Sequence, residues 1–366
     1  MSPNADAPYV AIVVGTRPEI VKLATIIRLL GSSARFLHTC QHRDEELSGV
    51  FLTGARLPQP ETLVGICGQP RHVQIGRMVE QLGRLFAERP PAAVLIEGDT
   101  NTVSAAAQAG NYAGMPVVHV EAGLRSHDRA MPEEINRCVT GVLADLHCAP
   151  TERAVANLRG DGVPAEKIVL TGNTIVEATL GMLPDEATAR EIVAGLGAEP
   201  EEYVLATIHR PENTDDSERL RIILDELSKL GLPVLLPLHP RTRAAVGRHG
   251  LTAALDRLQP IPPADHRTFL GLARHARLLV SDSGGVQEEC TVLKRPLIVV
   301  RNSTERPESI EAGFAHLLQP GPVISDLGRQ LIGDQGLIKR LAAVPCPYGD
   351  GAASERIVEL LRGFLR

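Results

Sequence analysis

Apolar residues along this chain gather in short, nearly unbroken runs, each followed by a polar turn. Tyr9–Val14 reads YVAIVV, Ala92–Ile96 reads AAVLI, and Val117–Val120 reads VVHV. Such runs lack the two-residue alternation of a half-exposed strand and fit strands buried on both faces, as in parallel sheets. Arg35–Cys40, Leu146–Ala149 and Ile168–Thr171 extend the series. Between the runs lie segments of helical periodicity over 18–30, 74–88 and 103–109, and another opened by Pro132-Glu133-Glu134. Strands alternating with helices predict βαβ units in a doubly wound parallel sheet. The Pro- and Gly-rich stretch Arg56–Val73 is expected to be a loop, and residues 1–8 a loose tail.

The pattern lapses over Gly181–Pro200, a polar helical stretch bounded by Gly and Pro, and then restarts. Tyr203–Ile208, Val234–Leu238, Leu278–Ser281 and Leu297–Val300 are the second set of strands, with helices over 217–230 and through Leu293. The predicted fold class is therefore α/β, with two Rossmann-like domains facing across a central cleft. Residues 1–175 form the first domain and 176–348 the second. The last helix, within 349–366, is expected to pack back on the first domain.

In doubly wound sheets ligands bind beyond the carboxyl ends of the strands. The stretch His119–Arg137, HVEAGLRSHDRAMPEEINR, puts Glu121, Gly123 and Arg125 just past one strand and Glu133 and Glu134 in the first turn of a helix. Acids after a helix-opening Pro also complement the helix dipole, so Glu134 reads equally well as a helix-start residue. Glu121 has no such duty and is the better candidate for chemistry. Asp99, in EGDTNT, is either a cap for the next helix or a site acid. Gln41-His42-Arg43-Asp44 is another polar cluster at a strand end.

Cations sit at positions suited to an anion. Arg17 and Lys22 flank a helix start where exposed N–H groups favour phosphate. No GxGxxG fingerprint is present, so a nicotinamide cofactor is not indicated. In the second half, His209 lies in HRPEN, and Ser283-Gly284-Gly285 lets the backbone approach a phosphate at a helix N-terminus. Glu289, one turn onward, could accept sugar hydroxyls. With Arg306, the cations Arg17 and Lys22 would neutralise a diphosphate. The inventory reads as an acid–base site beside a diphosphate pocket.

Composition removes several classes. With 43% hydrophobic and 22% charged residues the chain is globular, and a formal charge of −6 over 366 residues argues against nucleic-acid binding. Aromatics are 3% with no Trp, which disfavours a base-stacking platform. The six cysteines are scattered without a CxxC pair, so neither a zinc site nor a disulfide framework is expected, and no metal-ligand spacing appears. No apolar run could span a bilayer and Met1–Pro8 lacks signal-peptide features, so a cytoplasmic protein is expected.

GTRPEIVK at 15–22, EGDTNT at 97–102, HVEAGLRS at 119–126, MPEEINR at 131–137, TGNT at 171–174, TIHRPEN at 207–213, HPRT at 239–242, SDSGGVQEE at 281–289 and TERPE at 304–308 closely resemble the UDP-N-acetylglucosamine 2-epimerase family. The resemblance runs in order through nearly the whole chain. It implies a GT-B-like pair of domains with UDP on the second, a homodimer, no cofactor, and interconversion of UDP-GlcNAc and UDP-ManNAc. The implied route is elimination of UDP to a 2-acetamidoglucal and re-addition. Two acid–base groups are then needed, one on each face of C2.

By the same resemblance, catalysis falls to Asp99, Glu121, Glu133 and His209. Substrate binding falls to Arg17, Lys22, His209, Phe269, Ser283, Gly284, Gly285, Glu289 and Arg306. Phe269 reads either as a neighbour of the uracil or as a core aromatic. A hydrolysing relative that releases ManNAc and UDP, a GT-B glycosyltransferase and a non-catalytic sugar-nucleotide module are the other readings, and the intact HVEAGLRS and PEEINR stretches favour the non-hydrolysing epimerase. The segment before PEE is shorter than in many bacterial members, and 65–73 differs from their Gly- and Ser-rich loop. Both departures flank the place where some members bind a second UDP-GlcNAc, so weak or absent activation by it is expected.

Overall fold

A computed structural model describes residues 7–41 and 57–366, so His42, Arg43 and Asp44 of the polar cluster lie outside the described residues. The chain forms two compact units, one of residues 1–178 with 348–366 and the other of residues 179–347.

The first unit holds β1 (Val10–Val14), β2 (Ala34–His38), β3 (Glu61–Thr62), β4 (Ala93–Glu97), β5 (Val117–Val120), β6 (Leu146–Ala149) and β7 (Ile168–Leu170). Their order is β3-β2-β1-β4-β5-β6-β7 and every pairing is parallel. Chain direction across the sheet reverses between β1 and β4, the switch point where such sheets open a crevice. Alternate residues of β1 feed two cores. Val10, Ile12 and Val14 join Ile20, Leu23 and Ile27 of the helix Arg17–Leu30 and Ile357 and Leu361 of the last helix, Ala353–Phe364. Ala11 and Val13 join Met78, Leu82 and Phe86 of the helix Arg71–Glu88 and Val103 of the helix Asn101–Tyr112. An uninterrupted apolar strand is what two covered faces require.

The second unit repeats the plan with β8 (Val204–Thr207), β9 (Val234–Pro237), β10 (Gln259–Ile261), β11 (Leu278–Ser281), β12 (Leu297–Val300) and β13 (Ala315–Leu318). The order is β10-β9-β8-β11-β12-β13, again all parallel, with its switch point between β8 and β11. Val204, Ala206 and Val280 face one core, while Leu205, Leu279 and Val299 face the other.

The sequence reading finds the edge strand β7 but misses the other three edges, β3, β10 and β13. β3 and β10 are short, and Glu61, Thr62, Gln259 and Pro260 are exposed, so neither strand carries a buried run. The expected loop 56–73 contains β3, and its helix begins at Arg71, just after Pro70, rather than at Gln74. Helix Asn101–Tyr112 also starts earlier than the apolar pattern suggests, because Thr100 caps it by accepting from the Val103 N–H.

Leu361 is fully buried between the first-unit sheet and helix Arg17–Leu30. Leu361→Ala is expected to cost the first unit about 2–5 kcal/mol, read as a lowered midpoint in urea unfolding. A change within a few tenths of a kcal/mol would mean that the last helix is not part of that core.

Candidate active site

At the end of β1 the chain turns through Gly15 and Thr16 into the helix Arg17–Leu30. Glu19 folds back over this turn and accepts from the backbone N–H groups of Gly15 and Thr16 and from the Thr100 hydroxyl. Burial pushes its carboxyl up to about 7 against these hydrogen bonds. Arg17 stands half-exposed at the first helical position.

One turn along the helix, the Lys22 ammonium is buried between two carboxylates. Its Nζ is 3.2 Å from Glu97 Oε1, at the end of β4, and in direct contact with Glu121 Oε2, just past β5. Asn173 Nδ2 also donates to Glu121 Oε2, at 3.0 Å. Glu121 is 5% exposed and has φ of 62°, a left-handed conformation that costs a non-Gly residue energy and concentrates at functional sites. Lys22, expected beside a phosphate, is paired here with the carboxylates of Glu97 and Glu121. In the turn that follows, Gly123 has φ of 91°, and a Cβ there would lie 2.4 Å from the Ala154 carbonyl oxygen, so glycine is required.

The other acids meet around Arg137, which is 3% exposed. Its Nε and Nη2 donate to Asp99 Oδ2 at 3.0 and 2.7 Å, and its Nη1 donates to Glu134 Oε2 at 2.7 Å. Asp99 therefore does not cap the helix; Thr100 does, and the Asp99 carboxylate faces Arg137 instead. Glu134 also accepts from the N–H groups of Ser126 and His127, tying the 126–127 turn to the helix Pro132–Leu143. Its role is structural support. Glu133, its neighbour, is half-buried. Asn136 Nδ2 donates to the Asp99 carbonyl at 2.8 Å, and Arg71 bridges Asn101 and Asn136 at 3.1 and 2.7 Å. His119 pairs through Nε2 with the Gly98 carbonyl at 2.8 Å, and burial pulls its pKa down to about 4. Neutral at pH 7, it pins the EGDT turn to β5.

In the second unit the fully buried Asp282, past β11, organises the turn after β8. Its carboxylate accepts from the His209 and Arg210 N–H groups at 3.0 and 2.9 Å and from Asn213 Nδ2 at 3.0 Å. His209 Nδ1 lies 3.5 Å from Asp282 Oδ1, and its ring is tilted 31° to that of His239 with centroids 5.2 Å apart. Burial lowers the His209 pKa and the Asp282 charge opposes the shift, so the imidazole is neutral at pH 7.

Ser283 precedes the helix Gly284–Leu293. A Cβ on Gly284 would lie 2.8 Å from Arg306 Nη1, which explains the glycine by close approach. Arg306 is buried, with Nε 2.8 Å from Glu288 Oε1 and Nη1 against Glu305. Gly285 is half-exposed. Glu289 Oε1 is 2.7 Å from His266 Nε2. Phe269 is half-buried and packs against the second-unit core.

Sequence reasoning missed Glu97, Arg71, Asn136, Arg137, Asp282 and His266 as site partners. Arg137 had a usable signal, since Glu134 and Arg137 are three apart on one helix and so share a face. Among the described residues no cluster of His, Cys, Asp and Glu could hold a metal ion, and no helix is long and apolar enough to cross a membrane.

Two all-parallel α/β units define a Rossmann-type enzyme class, with acids and a neutral histidine at the strand ends and a Ser-Gly-Gly helix start in the second unit. The chain belongs to the UDP-N-acetylglucosamine 2-epimerase family, whose model matches residues 30–362. A UDP-N-acetylglucosamine 2-epimerase of Methanocaldococcus jannaschii is 36% identical over 96% of this chain and 98% of its own length. The structure of the M. jannaschii UDP-GlcNAc 2-epimerase in complex with UDP-GlcNAc and UDP superposes with a TM-score of 0.86, at 35% identity, over 97% of this chain and 99% of that one. A UDP-2,3-diacetamido-2,3-dideoxy-D-glucuronate 2-epimerase of Pseudomonas aeruginosa is 33% identical over 95% of this chain and 98% of its own length.

Because Glu19 binds its proton more tightly folded than unfolded, the folded state holds more protons between its ordinary carboxyl pKa and about 7. Its contribution to stability is full below the unfolded pKa and is lost as pH rises through about 7. Thermal melts across this window are expected to show a downward slope with pH that Glu19→Gln flattens. An unchanged slope would remove Glu19 as its source.

Proposed function

We propose that this chain is a non-hydrolysing UDP-GlcNAc 2-epimerase, interconverting UDP-GlcNAc and UDP-ManNAc without a cofactor. The observation that carries the reading is the pair of acids Asp99 and Glu121, just past the ends of β4 and β5, with Arg137 and Lys22 balancing their charge. Ordinary sugar-nucleotide binding does not need buried acids at these strand ends; moving protons on and off carbon does.

The reaction begins with cleavage of the C1–O bond, and UDP leaves with the bonding electrons. The developing positive charge at C1 acidifies C2–H, and a carboxylate of the first unit removes that proton to give the 2-acetamidoglucal. Protonation of C2 on the opposite face and re-formation of the C1–O bond by UDP complete the inversion, so atoms and charge balance. Asp99, Glu121 and Glu133 supply the acid–base groups. The second unit holds UDP. Its phosphates lie at the Ser283-Gly284-Gly285 helix start with Arg306 behind it, its ribose hydroxyls at Glu289, and neutral His209 beside the departing oxygen. Arg17 adds a cation to the phosphates, and Phe269 borders the uracil. Lys22 serves indirectly, by setting the charge state of Glu121. The protein works as a homodimer in the cytoplasm.

Hydrolysis to free ManNAc and UDP is the competing outcome, and the substrate of the Pseudomonas relative is a second sugar to test. Purified protein with UDP-GlcNAc is expected to yield UDP-ManNAc by chromatography, with a hyperbolic rate against UDP-GlcNAc and little turnover of the diacetamido-glucuronate. Asp99→Asn and Glu133→Gln are each expected to lower kcat by about 10²–10⁴-fold. Free ManNAc as the main product would assign the hydrolysing reaction instead, and sigmoidal kinetics would restore an activator site.

A further inference from the structure

Two neighbouring acids of the second unit are held in different ways. Glu288, on the helix Gly284–Leu293, is paired with the Arg306 guanidinium at 2.8 Å. Glu289 is also buried, at 6% exposed. Among the described residues its only hydrogen-bond or ion-pair partner is His266, whose Nε2 lies 2.7 Å from Oε1. A carboxylate oxygen accepts, so Nε2 carries the hydrogen and donates it. Oε2 receives no donor from the described residues. The carboxyl reaches back over its own helix start, since a Cβ on Gly285 would lie 4.0 Å from Glu289 Oε1.

His266 is fixed in turn by its own helix. Asp265 caps the helix His266–His275 by accepting from the Thr268 N–H at 2.8 Å, which sets the first turn. His266 and Phe269 are three residues apart on that helix and so share a face. The neighbour proposed for the uracil and the donor to the acid proposed for the ribose therefore sit on one short element. A carboxylate taken out of water with a single directed donor takes its orientation from that donor. From this geometry we infer that His266 is a positioning residue for the ribose: it holds Glu289 Oε1, so that Oε2 is presented to the sugar hydroxyls. The inference rests on the ribose contact given to Glu289 above.

His266 makes and breaks no bond; its effect is on recognition. Without its N–H, an incoming nucleotide must order the Glu289 carboxyl as well as occupy the site, which weakens the contact to the hydroxyls. The loss is confined to ligands that carry ribose hydroxyls. His266→Gln keeps a side-chain N–H of similar reach and is the conservative replacement.

The test is calorimetric titration of the full-length protein with UDP and with 2′,3′-dideoxy-UDP, which lacks the ribose hydroxyls. Wild type is expected to bind UDP more tightly than the dideoxy analogue. His266→Ala is expected to weaken UDP about tenfold while binding the analogue as wild type does. His266→Gln is expected to recover most of the lost affinity. Because the two residues act as one, the double variant His266→Ala, Glu289→Gln is expected to bind UDP no more weakly than Glu289→Gln alone. Unchanged UDP affinity in His266→Ala, with Glu289→Gln still weaker than wild type, would overturn the inference and leave the ribose contact standing. Equal losses for UDP and the analogue in His266→Ala would also overturn it, since they mark general damage to the helix. Wild type that binds UDP no better than the analogue would remove the ribose contact itself, and the inference with it.

Discussion

A carboxylate held out of water at the end of a parallel strand must be met by a cation or by directed N–H donors, and this requirement organises both units. In the first, Lys22 meets Glu97 and Glu121, while Arg137 joins Asp99 to Glu134. In the second, backbone N–H groups of His209 and Arg210 meet Asp282, and Arg306 meets Glu288 and Glu305. Removing one partner of such a pair strands the other, at a cost of about 3–5 kcal/mol. The acids are therefore fixed in place before any substrate arrives, which is the preorganisation that proton transfer needs.

Topology delivers these groups to one end of each sheet. Because all pairings are parallel, every strand releases its polar turn on the same side, and the switch points bring turns distant in sequence side by side. Thr100 reaches Glu19 and Asn213 reaches Asp282 for this reason, across 81 and 69 residues of chain. The apolar strands beneath, buried on both faces, give these turns a rigid base.

Much of this was legible in the sequence, because a strand buried on both faces is written as an unbroken apolar run. The central strands of both sheets declare themselves in that way, and so does the parallel doubly wound class. The edge strands β3 and β10 do not, since their residues are largely exposed and they borrow their conformation from a neighbour. Glu121 stood out as an acid past a strand with no capping duty, and its left-handed backbone agrees with that. Position at a helix start makes Lys22 a candidate phosphate ligand, since it reveals the charge but not the partners within the fold. Only the register of β4 against β5 shows two acids converging on it. Asp99 was ambiguous between cap and site acid until Thr100 proved to be the cap.

The central claim is that these acids move a proton at C2 of a UDP-linked sugar. The most direct measurement is proton NMR of the purified protein with UDP-GlcNAc in D₂O, with no metal or nicotinamide added. The account predicts UDP-ManNAc carrying deuterium at C2, formed as the C2 proton signal of UDP-GlcNAc is also lost. Epimerisation with the original C2 hydrogen fully retained, or no reaction, would contradict it.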